Sequence, residues 1–296
     1  MTMTSSRPAY DPEVVDAANP SPETRRGWII AGAILTVLAI GGALVQMYFL
    51  VSLRTGSDSK TYPGALSSLM VTDAGSSDIQ IIADDSVDGA RVDRDMRWSG
   101  SSSDKPGRSS TFSDGVLKIG NECAGTSNCS IDYRIYVNPQ VQVTADSSSG
   151  DVVVRGTTGA LKASASSGDI RLTAITGDVT ASASSGDVVV EDTKGDLDLE
   201  ASSGDIRASG VTAGVLQARA DSGDIHVDLA KDADNISLNA DSGSIYLTVP
   251  GLKPYDVQAA ASSGSTQVDI PIDSGSGRPL IAKASSGDIR IEQSGA

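Results

Sequence analysis

ASSGDVVVEDTKGDLDLEASSGD, residues 183–205, holds one complete copy of the repeat that decides the fold. The tetrapeptide SSGD stands at 166–169, 184–187 and 202–205, so the repeat is eighteen residues long. Its turn glycine recurs with spacings of 18, 18, 18, 19, 20, 21 and 23 residues at Gly150, Gly168, Gly186, Gly204, Gly223, Gly243, Gly264 and Gly287. Such regular recurrence predicts an array of stacked structural units.

Each unit alternates in polarity with a period of two. Apolar residues lie two and four positions after the turn glycine, as in Val188 and Val190, and this pattern is typical of strands with one buried face. A second glycine series divides the regular units into halves, at Gly159, Gly177, Gly195 and Gly214. Each unit is therefore predicted to form two strands and two turns.

The corner of each unit carries small and polar residues. Alanine stands three positions before most of the turn glycines, as Ala183 does before Gly186, which predicts a tight inner corner. We expect the corner glycines to supply a positive φ, and the serines and aspartates to bond turn backbone groups. The fold prediction is an all-β, single-stranded β-solenoid of ~18-residue coils, too narrow to enclose a pocket, which fits an aromatic content of only 4%.

Residues 54–146 are less regular but contain similar turn and strand patterns. Strands are predicted in 79–81, 116–119 and 131–137, as the first, atypical coils, with a flexible segment over 99–114. At the other end the chain stops just after a predicted strand at 289–291. The final coil is therefore expected to be incomplete.

An uncharged segment precedes the repeats, over residues 27–53. Residues 28–51 are long enough for one transmembrane helix, which needs ~20 residues, and Trp28 and Tyr48 are placed as interfacial aromatics. No small-residue cleavage site is evident, so we expect a single-pass anchor in the cell membrane. The predicted domains are a disordered cytoplasmic tail at 1–27, the span at 28–51, a juxtamembrane linker at 52–64 and an extracytoplasmic repeat domain at 65–296.

The two cysteines, Cys123 and Cys129, are separated by five residues. In an oxidising space such a pair is expected to close a small loop as a disulfide, which would place the repeat domain outside the cell. Free thiols are an alternative. A zinc site needs four ligands, and two thiols with the single histidine, His226, do not supply them.

The combination of these features resembles a known family. The apolar anchor, the cysteine pair, the run IDYRIYVNP at 131–139 and the SSGD ladder are together similar to the bacterial toastrack or "putative adhesin" family, over roughly residues 65–296. The resemblance implies a β-solenoid-like cell-envelope domain, in some members near envelope-stress sensing systems, with no established activity and no catalytic residues. Ser244 and Ser265 replace the corner aspartate in later units, so the resemblance assigns that aspartate no shared role.

The function expected from these residues is a non-catalytic interaction, scaffold or adhesin-like module. Its partner would be another envelope protein or a cell-wall component, met by the outward side chains or by the unfinished C-terminal edge. A formal net charge of -15 argues against nucleic acid. We expect no catalytic residue, no cofactor and no metal.

Two other functions stay open. Calcium would take oxygen ligands from the corner aspartates Asp151, Asp169, Asp187, Asp205 and Asp224. A polysaccharide-active enzyme would need paired carboxylates, but the sequence offers one histidine and no nucleophile elbow or phosphate loop. His226 is predicted to be ordinary surface, while Arg171, Arg207 and Arg290 share its outward strand position and form a candidate anion-binding face.

Overall fold

The computed structural model describes residues 22–51, 53–72, 75–100, 104–120, 122–123 and 128–295, and within the helix it describes the side chains of residues 30–46. The chain divides into two compact units, with the boundary between Ser52 and Leu53. The first contains helix α1 (Pro22–Val51). The second contains all of the strands.

Helix α1 starts earlier than the sequence predicts. Residues 22–27 were expected to end a disordered tail, but they form the first turns of the helix, where proline is favourable because its missing N–H is not needed. The rest of the predicted tail, residues 1–21, lies outside the described residues. Among the described residues, no helix combines the length and the mean hydropathy that crossing a bilayer requires.

The second unit is all-β, as predicted. Its strands in chain order are β1 (Leu53–Tyr62), β2 (Ser68–Val71), β3 (Ile79–Ala83), β4 (Ala90–Ser99), β5 (Ser110–Ser113), β6 (Val116–Ile119), β7 (Ser130–Val137), β8 (Gln142–Ser147), β9 (Val152–Arg155), β10 (Leu161–Ala165), β11 (Ile170–Thr173), β12 (Val179–Ala183), β13 (Val188–Glu191), β14 (Leu197–Ala201), β15 (Ile206–Val211), β16 (Val215–Ala220), β17 (Ile225–Leu229), β18 (Asn235–Ala240), β19 (Ile245–Val249), β20 (Asp256–Ser263), β21 (Thr266–Asp269), β22 (Pro279–Ser286) and β23 (Ile289–Gln293).

These strands form two sheets. Sheet A has the order β1-β4-β7-β3-β9-β11-β13-β15-β17-β19-β23-β21, and sheet B has the order β20-β22-β18-β16-β14-β12-β10-β8-β2-β6-β5. In the regular part each repeat gives one strand to each sheet, and equivalent residues stack in parallel register, as Ile170 does on Val188. The predicted solenoid of stacked coils is therefore present.

The core lies between the sheets and follows the predicted alternation. In β11 the side chains of Ile170 and Leu172 are fully buried, whereas Arg171 is exposed. The alanines before the corners, such as Ala183 and Ala201, are also buried. In the regular coils small corner residues and branched aliphatic residues fill the interior, because the two sheets pack closely there. Larger buried side chains, such as Trp98 and Tyr255, lie towards the ends of the stack.

The C-terminal end differs from the sequence prediction. Strand β23, the last of the chain, pairs with β19 on one side and β21 on the other, and β22 likewise lies between β18 and β20. The final coil is therefore inserted into the stack and is not the exposed end. The prediction of an incomplete last coil is wrong, because this coil gives one strand to each sheet, β22 and β23, and each is paired on both sides. The preceding coil, β20 with β21, takes the outermost position.

The N-terminal end shows the same kind of insertion. Strand β2 lies between β6 and β8, and β3 lies between β7 and β9. Beyond them β1, β4 and β5 pair antiparallel with their neighbours and end the stack. The linker predicted at 52–64 is wrong for most of its length, since Leu53–Tyr62 forms the edge strand of sheet A.

Candidate functional site

The corner glycines stack directly on one another. A Cβ placed on Gly186 would lie 2.0 Å from the carbonyl oxygen of Gly168, and one on Gly204 would lie 2.0 Å from the oxygen of Gly186. Neither residue has a positive φ, so the predicted reason for glycine here is wrong. Glycine is required because the next coil leaves no space for a side chain.

The predicted corner glycines follow the spatial order of the coils. The same close approach continues from Gly150 to Gly243 and then passes to Gly287 before Gly264. The last two are reversed relative to the sequence because the final coil is inserted. The structure thus brings together the full predicted set: Gly150, Gly168, Gly186, Gly204, Gly223, Gly243, Gly264 and Gly287.

The corner aspartates form a second ladder beside the glycines. Oδ1 of Asp169 accepts the backbone N–H of Asp187 at 3.0 Å, and Oδ1 of Asp187 accepts that of Asp205 at 2.9 Å. The bonds run in one direction along the stack, so each aspartate holds the next coil. Ser244 is tolerated because its N–H only needs to donate to Asp224, at 2.8 Å.

The second oxygen of these carboxylates is also used. Arg171 binds Oδ2 of Asp169 at 2.9 Å, and Arg207 binds Oδ2 of both Asp187 and Asp205, at 2.9 and 2.5 Å. Among the described residues no group of three histidine, cysteine, aspartate or glutamate side chains is placed to hold a metal. These contacts favour a structural role for the aspartates named in the calcium hypothesis.

The same contacts bear on the candidate anion-binding face. Arg171 and Arg207 share their guanidinium groups with corner aspartates, and Arg290 binds Glu292 at 2.8 Å. These cations are therefore compensated by neighbouring carboxylates. They are half-exposed, so each pair adds little stability by itself.

A buried charge cluster near the N-terminal end was not predicted. Arg94 occupies an inward position of β4, with its side chain 2% exposed, and binds both oxygens of Asp58 and one oxygen of Glu122. Tyr133 donates its hydroxyl to Glu122 at 3.1 Å. The sequence does contain a signal for this cluster: Arg94 occupies a position that the alternation of residues 90–98 assigns to an apolar side chain. The cluster joins β1, β4 and β7, which fits a structural role at the end of the stack.

Burial and charge shift the protonation of this cluster. The hydrogen bonds from Arg94 lower the pKa of Asp58 to about 2, with further help from the charges of Arg94, Arg108 and Lys105. Burial, together with the nearby Glu122 carboxylate, raises the pKa of the Tyr133 phenol far above its usual range.

The two cysteines form a disulfide next to this cluster in the sequence. Cys123, the residue after Glu122, is bonded to Cys129 with a Cα–Cα distance of 5.5 Å.

The outward face of sheet A contains a groove of about 380 Å³. It spans β13, β15, β17 and β19 and is lined by Val189, Glu191, Arg207, Ala208, Ser209, His226, Val227, Asp228, Tyr246 and Thr248. The register of β15 against β17 shifts between Ala208 and Val211, with Gly210 at a φ of 65°. A bulge of this kind twists the strand locally, and it follows directly after Ala208 and Ser209, which line the groove.

Two aromatic rings form part of the groove wall. His226 and Tyr246 occupy equivalent outward positions on adjacent strands, and their rings stack with centroids 4.5 Å apart and planes 18° apart. Tyr246 remains 37% exposed. The prediction of an outward position for His226 is confirmed, but its stacking on Tyr246 was missed.

The groove could not be predicted from strand patterning alone. The two aromatic residues stand twenty positions apart in successive units, which is a signal that they are neighbours. The bulge, however, depends on the extra residue in the unit that contains Gly210, and the sequence gives only the lengthened spacing. The wall could thus be located from the repeat, whereas the depression could not.

Comparison with known proteins agrees with the repeat architecture. The family model described as Toastrack DUF4097 matches residues 130–277, which is half of the chain, and the protein belongs to this family. A search of curated proteins found no match.

Two solved structures are similar at low identity. One is described as a "putative cell adhesion protein" from Clostridium sporogenes, with 13% identity, a TM-score of 0.26, and coverage of 81% of this chain and 100% of that chain. The other is described as a "putative adhesin" from Bacteroides fragilis, with 15% identity, a TM-score of 0.44, and coverage of 80% of this chain and 97% of that chain.

Proposed function

We propose that the protein is a non-catalytic, adhesin-like interaction module of the cell envelope, and that the groove on sheet A is its contact surface. In this proposal residues 28–51 anchor the chain in the membrane and the repeat domain lies outside the cell. The partner is another envelope component, either a protein or a wall polymer. A link to envelope-stress sensing would follow from contact with a membrane protein.

The observation that carries the proposal is the groove itself. Its four strands are each paired on both sides, and the core beneath them is fully buried, so the groove is held on a rigid support. Tyr246 presents an exposed aromatic surface there, and aromatic residues are enriched in interaction sites. The outward arginines Arg171 and Arg207, the latter within the groove itself, are paired with corner aspartates.

Binding is better supported than catalysis by the openness of the groove. Glu191 and Asp228 both line it and belong to β13 and β17, which are separated by β15 and hence by ~9.6 Å of sheet. The groove is a depression in an exposed face with no loop above it among its lining residues. Water would enter freely, whereas acid–base chemistry on a glycoside benefits from an enclosed site.

The anchor is supported by composition and by the exposure of the helix. Residues 27–53 carry no charge. Among the described side chains of α1, residues 30–46, the large apolar ones are 55–68% exposed, from Ile30 at 60% to Val45 at 57%. A row of exposed aliphatic residues on one helix is expected to be covered by lipid or protein. Resistance of the full-length protein to extraction from membranes at alkaline pH tests this part; release would contradict it.

The contact surface is tested by photo-crosslinking in intact cells. A photoreactive residue replaces Tyr246 in the groove in one variant and Asp198, on the outward face of sheet B, in another. We expect a defined adduct with one envelope component from position 246 and at least fivefold less from position 198. Equal adducts from both positions, or none from position 246, would contradict the proposal.

A further inference from the structure

The polar groups of the groove are unevenly balanced in charge. Arg207 is the one cation among the lining residues, and it is bound by Asp187 and Asp205. Glu191 and Asp228 also line the groove, and neither forms an ion pair with a described residue. The groove therefore has an excess of negative charge, which favours a ligand that carries positive charge.

The remaining lining is apolar or carries hydroxyl groups. Val189 and the rings of His226 and Tyr246 offer apolar contact, while Ser209 and Thr248 offer hydroxyls that both donate and accept. A sugar ring matches this mixture, because its C–H groups pack on an aromatic ring and its hydroxyls bond to carboxylates and hydroxyls.

A peptide matches the groove less well. Extended peptides are commonly recognised when their backbone pairs with an open strand edge. Strands β13, β15, β17 and β19 are each already paired on both sides, so the groove offers no such edge. It crosses three strand spacings of ~4.8 Å, or ~14 Å in all, which suits a short length of polysaccharide lying across the strands.

We propose that this groove binds a glycan whose sugar rings carry free amino groups. The ammonium groups pair with Glu191 and Asp228, and one sugar ring packs on the exposed surface of Tyr246. The inference rests on the proposed function, because it names the ligand class for the same contact surface. In this inference the aromatic wall and the two unpaired carboxylates bind the same glycan.

The test uses the full-length protein in detergent and a tetramer of glucosamine as the probe, with binding measured by titration calorimetry. We expect saturable binding that weakens as salt is raised, since the charges are exposed. The N-acetylated tetramer, which has no ammonium group, should bind at least tenfold more weakly. Asp228→Asn should weaken binding of the glucosamine tetramer by about tenfold, the effect of losing one charge-assisted hydrogen bond.

The matched control is Asp198→Asn, the same change on the outward face of sheet B, which should leave the affinity unchanged. Tyr246→Ala separates the sugar contact from simple charge attraction. It should weaken the glucosamine tetramer by at least fivefold and leave tetralysine unaffected. Circular dichroism of each variant checks that the β-fold is retained.

Four results would overturn the inference. Binding of tetralysine as tight as that of the sugar would show that the groove selects charge alone. Equal binding of the N-acetylated tetramer would show that the ammonium groups are not recognised. Equal losses from Asp228→Asn and Asp198→Asn would remove the groove from the interaction. If the sugar does not bind but crosslinks from position 246 persist, only the assignment of a glycan as ligand is rejected. If neither is observed, the proposed function is rejected as well.

Discussion

Replacing Gly186 by alanine should destabilise the coil stack because the new methyl group has no space. Its Cβ would lie 2.0 Å from the carbonyl oxygen of Gly168 and 2.5 Å from the carbonyl carbon. Normal contact requires over 3 Å, so the two coils must separate locally by roughly 1 Å. Such a movement stretches the bond from the N–H of Asp187 to Asp169, now 3.0 Å, and the bond from the N–H of Ile170 to the carbonyl of Asp187, now 2.9 Å.

The expected loss of stability follows from these contacts. Two weakened hydrogen bonds remove about 1–2 kcal/mol, and overpacking in a close-packed site costs about 1–3 kcal/mol. We take about 3 kcal/mol as the central value for the free energy of unfolding. For a domain of this size the melting temperature falls by about 2–4 °C for each kcal/mol, so Tm should drop by about 6–12 °C.

Thermal unfolding of the full-length protein, followed by circular dichroism of the strands, measures this effect. Gly107→Ala is the matched control, because Gly107 has no positive φ and its Cβ would meet nothing within 4 Å. Its Tm should change by no more than about 2 °C. A Tm for Gly186→Ala within that same range would refute the argument that direct stacking of the coils requires glycine.

Four further predictions concern charged groups. Asp187→Ala should lower stability by about 1–2 kcal/mol in urea unfolding, and Asp187→Asn by less, because asparagine keeps the acceptor. Arg94→Met should cost about 3–5 kcal/mol in the same assay, since it leaves Glu122 buried without its cation. Because the pKa of Asp58 is lowered to about 2, its contribution is complete above the ordinary aspartate value and is lost as the pH falls through about 2; Asp58→Asn should flatten the acid limb of Tm against pH. Millimolar calcium and EDTA should leave Tm unchanged, because both oxygens of Asp187 are already engaged.

Each of these predictions has a contradicting result. Equal losses from the alanine and asparagine variants of Asp187 would mean that the acceptor is unimportant. A change below about 1 kcal/mol for Arg94→Met would show that the cluster adds little to the fold. An unchanged acid limb in Asp58→Asn would exclude that carboxylate as the titrating group. A rise in Tm with calcium would restore the metal-binding hypothesis.

The regular coils could be predicted from the sequence because every local signal agreed. The apolar alternation at Val188 and Val190, the corner alanines and the glycine period all describe one repeating unit. The role of the corner glycine could not be read in the same way. Positive φ and direct backbone contact both demand glycine, and only the position of the neighbouring coil distinguishes them.

The two ends of the stack were harder to predict for a topological reason. Strand β23 carries the same pattern as its neighbours, so the pattern fits any position in the stack. The sequence order suggests consecutive stacking, but the segment between β21 and β22 is long enough to reverse the last two coils. Which edge is exposed, and hence which residues could meet a partner there, followed only from the strand pairing.

The groove shows a similar division. The outward placement of His226 and Tyr246 follows from the period of two, and their adjacency follows from the repeat. The bulge after Ala208 is a local departure from the repeat, and it lies beside the groove-lining residues Ala208 and Ser209. Functional features in repetitive folds are expected at such irregular positions, because the regular coils are otherwise alike.

The most direct test of the proposed contact surface is cosedimentation of the purified full-length protein, kept in detergent, with cell-envelope fragments from the same organism that have been stripped of membrane, so that the proposed anchor cannot insert. The account predicts that the wild-type protein and Asp198→Asn cosediment equally, while Tyr246→Ala retains less than one fifth of the bound amount. Equal binding by all three would contradict the account, because the groove on sheet A would then make no contribution to envelope binding.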